Sequence, residues 1–149
     1  MITDDGPLER LGGRYASRGD FEDIEIKGTP SGLVSFAESL GSLKGKTILP
    51  LRVLSLDEIK PYDSYIAAIE LQLSESKVKI LREGNVLLIS GTREYLAVFA
   101  DNVSFLAEQV SKEESEGVSS HLHIEFFEDH LWLDPDSRPI VISLSEAPE

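Results

Sequence analysis

The 149-residue sequence predicts an α+β domain: a mainly antiparallel sheet of about six strands, with two amphipathic helices on one face. Three observations carry that expectation. Short runs alternate apolar and polar residues with the period of a half-buried strand. Two longer runs place apolar residues at spacings of three and four, which lines one face of a helix. Each of those runs follows a strand-like segment through the same Gly-Thr step, Gly28-Thr29 and Gly91-Thr92.

Residues 1–20 are rich in Gly, Arg and Asp and carry only scattered apolar positions, so they are expected to be a flexible N-terminal arm, with residues 21–149 as the domain. Ile24 and Ile26 alternate with Asp23, Glu25 and Lys27 as a short strand. Thr29 then suits a helix cap and Pro30 a first turn, ahead of the stripe Leu33, Phe36, Ala37, Leu40 and Leu43. In the connector 46–63, Pro50 limits the apolar piece Ile48-Leu49-Pro50-Leu51 to an edge strand or loop. A strand is expected over Tyr65–Leu73 and another over Lys77–Arg82. Glu83-Gly84-Asn85 signals a hairpin into the apolar run Val86–Ser90. The strongest helix follows Gly91-Thr92, with Leu96, Phe99, Ala100, Val103, Leu106, Ala107 and Val110 in one stripe. Lys112–Gly117 reads as an acidic loop, His121–Phe127 as a strand with Leu122, Ile124 and Phe126 on one side, and Ile140, Ile142 and Leu144 as a last strand.

The two halves resemble each other. Ile26-Lys27-Gly28-Thr29 with Leu33, Phe36 and Ala37 matches Ile89-Ser90-Gly91-Thr92 with Leu96, Phe99 and Ala100. Downstream, Ile69-Glu70-Leu71 is aligned with Ile124-Glu125-Phe126. The expectation is a tandem strand–helix–strand–strand duplication over residues 21–83 and 86–144, because one amphipathic helix covers only part of a sheet face.

Composition narrows the chemistry. The chain has no cysteine, which excludes disulfides, thiol nucleophiles and thiolate metal sites. With 27 acidic residues against 14 Lys and Arg, the formal charge is -13, and a dedicated nucleic-acid binder is disfavoured because phosphate contacts need a basic face. No apolar run is long enough for a membrane span and the first residues carry no secretory pattern, so the expected compartment is the cytoplasm. There is no Gly-x-Ser-x-Gly elbow and no phosphate-binding glycine loop.

All three histidines lie between positions 121 and 130. On a strand His121, His123 and Glu125 share one side, where two imidazoles can chelate a metal and Glu125 or His130 could add a ligand. The plainer reading is a solvent-facing polar strand side, so no metal and no cofactor is assigned. Asp134 and Asp136 flank Pro135 and read as turn residues rather than an acid–base pair. Charge placement says more. Residues 111–149 contain ten acids against Lys112 and Arg138, a net -8. Phe127 and Trp132 stand among those acids, a combination suited to binding a basic protein: rings supply contact area and carboxylates select the partner. The expected partner-binding residues are Glu125, Phe127, Glu128, Asp129, His130, Trp132, Asp134 and Asp136.

The run His121-Leu122-His123-Ile124-Glu125-Phe126-Phe127, followed by Asp129-His130-Leu131-Trp132-Leu133-Asp134-Pro135-Asp136-Ser137-Arg138-Pro139, resembles small immunity proteins of bacterial polymorphic-toxin systems, nearest immunity protein family 32. The resemblance covers residues 86–144, with a fainter copy in 21–83, as in a double-length version with an insertion. It implies no catalysis, and inhibition of a cognate toxin by tight binding. The acidity adds that the toxin is basic, as a nuclease would be. Two other functions remain open at this point: a metal-dependent enzyme using His121, His123 and Glu125, and an adaptor whose partner is not a toxin.

Overall fold

The computed structural model describes residues 11–18, 21–108 and 121–144. In chain order the elements are β1 (Leu11–Arg18), β2 (Phe21–Gly28), α1 (Pro30–Gly41), β3 (Lys46–Pro50), α2 (Leu56–Ile59), β4 (Ser64–Ile66), β5 (Ala68–Leu73), β6 (Lys79–Glu83), β7 (Val86–Gly91), α3 (Arg93–Ala107), β8 (His121–Ile124) and β9 (Ile140–Leu144). The class is α+β. The strands form two sheets rather than one sheet of about six, a five-stranded sheet ordered β4-β1-β2-β9-β8 and a four-stranded sheet ordered β3-β5-β7-β6.

Both long helices start where the Gly-Thr steps place them. The Thr29 hydroxyl accepts from the Gly32 amide and the Thr92 hydroxyl from the Tyr95 amide, each relieving one orphan donor of a first turn. The stripes Leu33, Phe36, Ala37, Leu40 and Leu96, Phe99, Ala100, Val103 are buried. The helices meet through Phe36 and Phe99, whose rings are 6.1 Å apart edge to face. Helix α3 ends at Ala107; Val110 and the expected acidic loop 112–117 lie outside the described residues.

The two sheets share one wiring. A hairpin supplies two strands of each (β1–β2, β6–β7), and the second strand of each hairpin pairs in parallel with a strand from the other half of the chain (β2 with β9, β7 with β5). The outer partners β8 and β3 then add antiparallel. Corresponding units are therefore β1–β2–α1–β3–β5 and β6–β7–α3–β8–β9. This corrects the expected register of the repeat. Ile142 pairs with Ile26 as Leu71 pairs with Ile89, so β5 corresponds to β9, and the strand holding Ile124 corresponds to β3.

Three further expectations change. Leu11–Arg18 is not part of an arm but a full strand pairing with β2 and β4; residues 1–10 and 19–20 lie outside the described residues. The single strand over Tyr65–Leu73 is two, because the chain changes sheets at Ala67. Ile66 pairs with Gly13, whereas the Ala67 amide donates to the Asn85 carbonyl of the other sheet's hairpin. Strand β8 stops at Ile124 rather than Phe127. Its partner β9 begins at Ile140, and the preceding Pro139 has no amide to donate.

One continuous apolar cluster holds side chains of both sheets and both long helices, including Ile26, Ile142, Phe36, Leu71, Ile89 and Phe99. Arg82 on β6 clamps the sheets from outside the cluster. Its guanidinium lies 2.5 Å from Glu22 on β2 and 3.9 Å over the Tyr15 ring on β1.

Candidate partner-binding surface

Beyond Ile124 the chain runs out as residues 125–139 before returning as β9. Its first part is a tight turn. The His130 amide donates to the Phe127 carbonyl, and Asp129 takes φ 73°, a left-handed conformation that aspartate tolerates better than most side chains. His130 is the keystone. It is only 9% exposed, and its Nδ1 accepts from the amides of Trp132 (3.3 Å) and Leu133 (3.1 Å). A ring nitrogen that accepts two hydrogen bonds carries no proton, so the ring is neutral with its proton on Nε2. Burial first, and then the nearby Lys77 ammonium, push the His130 pKa below the ordinary histidine value. The same lysine donates to the His130 carbonyl at 2.9 Å.

Rings continue inward from His130. Its imidazole is 4.6 Å from Phe127 and 4.9 Å, edge-on, from Trp132. Trp132 stacks on Phe99 at 5.5 Å, and Phe99 meets Phe36. A ladder of aromatic rings thus joins the surface turn to the helix–helix contact.

The second part, residues 132–138, lies along β6. Val78 donates to the Trp132 carbonyl and Asp134 to the Val78 carbonyl; Ile80 donates to the Ser137 hydroxyl and Arg138 to the Ile80 carbonyl. Leu133 is fully buried. The Asp134 carboxylate accepts from the Asp136 amide at 2.8 Å, so this pair shapes a turn, as its flanking of Pro135 suggests. The Leu-Asp-Pro-x-Ser motif therefore seals what would be an open sheet edge.

Of the residues expected to bind a partner, Glu125, Phe127, Glu128, Asp129 and Asp136 are exposed, Trp132 and Asp134 are half-buried, and His130 is buried. Two contributors went unnoticed. Phe126, expected to face the core, stands at the surface because the strand ends before it. Leu131 is 79% exposed, even more than Phe127 at 62%. The signal for Leu131 was a lone large apolar residue in a polar turn run. Residues 125–131 bring exposed rings and carboxylates together, as does exposed Phe105 with Asp101 and Glu108 at the end of α3. Glu113, Glu114, Glu116, Glu146 and Glu149 lie outside the described residues.

A second polar cluster crosses the outer face of the five-stranded sheet. Arg14 Nε donates to Glu25 Oε1 at 2.7 Å, Ser143 Oγ donates to Glu25 Oε2 at 2.8 Å, and His121 Nδ1 lies 3.1 Å from Ser143 Oγ. Ser143 is 2% exposed and its proton is engaged by Glu25, so it is not arranged as a nucleophile with histidine as base. The His121 and His123 rings are 6.4 Å apart. Among the described residues no group of three or more His, Cys, Asp or Glu side chains is placed to hold a metal ion, and no helix is long and apolar enough to cross a membrane.

These features define a small α+β protein, built from two sheets of shared wiring, that displays apolar side chains on an acidic loop. Comparison with protein families assigns it more narrowly. Residues 23–47 and 86–145, together more than half of the chain, match the model of immunity protein 32, and the chain belongs to that family of immunity proteins. The matched segments hold both long helices, the paired strands β2 and β9, and the whole 125–138 region. Searches of curated proteins and of solved structures gave no match.

Proposed function

We propose that this chain neutralises a cognate toxin by tight protein–protein binding in the cytoplasm, without catalysing a reaction, and that residues 125–136 form its contact surface. Phe127 and Leu131 are the apolar anchors. Glu125, Glu128, Asp129 and Asp136 surround them with negative charge, and His130, Trp132 and Asp134 hold the segment in shape. The observation that carries this reading is the pairing of two largely exposed apolar side chains with a buried scaffold of rings and hydrogen bonds beneath them. Large apolar side chains in a turn gain nothing for the free protein, whereas a rigid anchor reduces the entropy lost on binding. The acids fit a basic toxin, such as a nuclease with a positive substrate cleft, and steer its approach. No metal or cofactor enters this role.

The test is co-expression with the toxin encoded beside this chain, together with measured association rates. The wild type restores growth. Charge reversal at Glu125, Glu128 and Asp129 together slows association about 10-fold or more at low salt and flattens its salt dependence. An unchanged rate and salt slope would remove this surface from consideration.

A further inference from the structure

We propose that His121 and His123 form a two-imidazole site for a divalent transition-metal ion such as Zn²⁺ or Ni²⁺, with His121 set for coordination by a hydrogen-bonded relay through Ser143 to Glu25 and Arg14. The site does not rest on the toxin reading. Its first support is protonation. Ser143 Oγ spends its proton on Glu25 Oε2, so toward His121 it acts as acceptor, and His121 Nδ1 must carry the hydrogen of that 3.1 Å contact. In the neutral ring the lone pair is then on the other nitrogen, Nε2, of an exposed side chain. Metal-bound histidines are held in this way, with the second ring N–H fixed by a carboxylate or by a group that a carboxylate orients.

The relay is also complete. Glu25 takes Arg14 on one oxygen and Ser143 on the other, and Arg14 is itself held by the carbonyls of Glu58 and Lys60 at 2.9 and 2.7 Å. A satisfied polar chain across three strands orients one imidazole at its end. Nothing similar exists on the other sheet, where the positions matching His121 and His123 are Lys46 and Ile48.

Geometry and charge then admit an ion. Residues two apart on a strand share a side. The ring centres are 6.4 Å apart, so sharing an ion at the usual ~2.0–2.1 Å Zn–N distance requires one ring to swing by about 1 Å. The exposed His123 ring can do this by rotating about its side-chain bonds. His123 lines an open cleft with Asp23 and Glu125, carboxylates that raise the local concentration of cations, while the Glu22 carboxylate in the same cleft is engaged by Arg82. Water, or a donor from a bound partner, completes the coordination sphere.

The experiment titrates the full chain with Zn²⁺ alone and Ni²⁺ alone by calorimetry, and reads the histidine tautomers by ¹⁵N NMR without metal. The expected result is one ion per chain, binding lost in His121→Ala and in His123→Ala, and binding weakened about 10–100-fold in Ser143→Ala, which keeps both imidazoles. Ser143→Thr, which keeps the hydroxyl, should bind as the wild type does. Before metal is added, His121 should be protonated on Nδ1, a readout that needs no variant. The proposal is overturned if no saturable binding occurs, if binding survives in His121→Ala or His123→Ala, if Ser143→Ala binds as tightly as wild type, or if His121 carries its proton on Nε2.

Discussion

The two sheets have the same wiring and similar inner faces, yet their outer faces differ in how far polar groups are buried and linked. Inside, the row Gly13–Ile26–Ile142–Leu122 of the five-stranded sheet matches Ile80–Ile89–Leu71–Thr47 of the four-stranded one. Outside, the matching rows are Arg14–Glu25–Val141–His123 and Leu81–Leu88–Glu70–Ile48. Burial holds most of the inner rows to apolar or small residues, because side chains there must fill shared space; Thr47, on the edge strand β3, is exposed. The outer rows are less enclosed, although Glu25 is buried there. The five-stranded sheet carries a largely buried ion pair there, linked through Ser143 to an exposed histidine; the other carries leucines and an isoleucine around Glu70, whose carboxylate lies 3.7 Å from the exposed Lys46 ammonium.

The sharpest way to break this comparison is to move one row's chemistry into the other. Glu25→Leu alone removes the charge partner of the Arg14 guanidinium, leaving it only carbonyl acceptors and the Tyr62 ring, and removes the acceptor of buried Ser143. The loss should be about 3 kcal/mol, the low end for breaking a buried pair, since the Arg14 side chain is 20% exposed. Adding Arg14→Leu, which copies the Leu81–Leu88 pair, should recover about 1–2 kcal/mol, because well-packed apolar pairs often replace ion pairs without cost. Denaturant melts of the single and double variants check both values. A double variant less stable than Glu25→Leu would mean that the outer faces are not interchangeable.

Next in size is Gly13, the one position where the inner rows differ most. A Cβ there would stand 2.7 Å from Ile26 Cδ1 and 3.0 Å from Ile66 Cβ, the side chains of its cross-strand partners on β2 and β4. Gly13→Ala should cost about 1–3 kcal/mol in a denaturant melt, while the matching Ile80 has space for a full side chain.

That glycine also explains part of what sequence alone missed. Strand β1 shows its core side as Leu11, Gly13 and Tyr15 with Arg14 between them, and the missing apolar residue hides the alternation. The break at Ala67 has no local mark because it is set by bonds to Asn85 in a distant hairpin. Elements whose cause is local were legible: both Gly-Thr helix starts, the 84–85 hairpin, where Gly84 takes φ 61°, and the edge position of β3 with its Pro50. At the candidate surface the carboxylates could be placed from their order in the chain. The burial of His130 and Trp132 could not, because it depends on Phe99 arriving from helix α3. The relay needed the pairing of β8 with β9 and β9 with β2, which no spacing in the sequence reveals.

The smallest expected effect separates the turn from both sheets. His130 is neutral in the fold, with a pKa lowered by burial and by Lys77, whereas in the unfolded chain it titrates near the ordinary value of about 6.5. Below that value the unfolded state binds more protons than the folded state, so stability falls as the pH drops. Above it the contribution is complete. The fluorescence of Trp132, the chain's single tryptophan, reports the transition directly through its edge contact with the His130 ring. In His130→Asn, the amide oxygen can take the place of Nδ1 without titrating, so this part of the pH dependence should vanish while the turn persists. An unchanged profile in that variant would assign the transition to other groups.

The central claim is that the partner docks on the acidic loop and not on the outer row of the four-stranded sheet, with its Leu81, Leu88 and Ile48. The direct measurement is the Kd of the cognate toxin for Phe127→Ala/Leu131→Ala beside Ile48→Ala/Leu81→Ala. Each of the loop anchors removed should cost about 2 kcal/mol, the scale of an interface hot spot, together weakening binding by roughly 1,000-fold where the two add, with the sheet-face pair binding like wild type. Loss of affinity in the sheet-face pair, with the loop pair unchanged, would contradict the account.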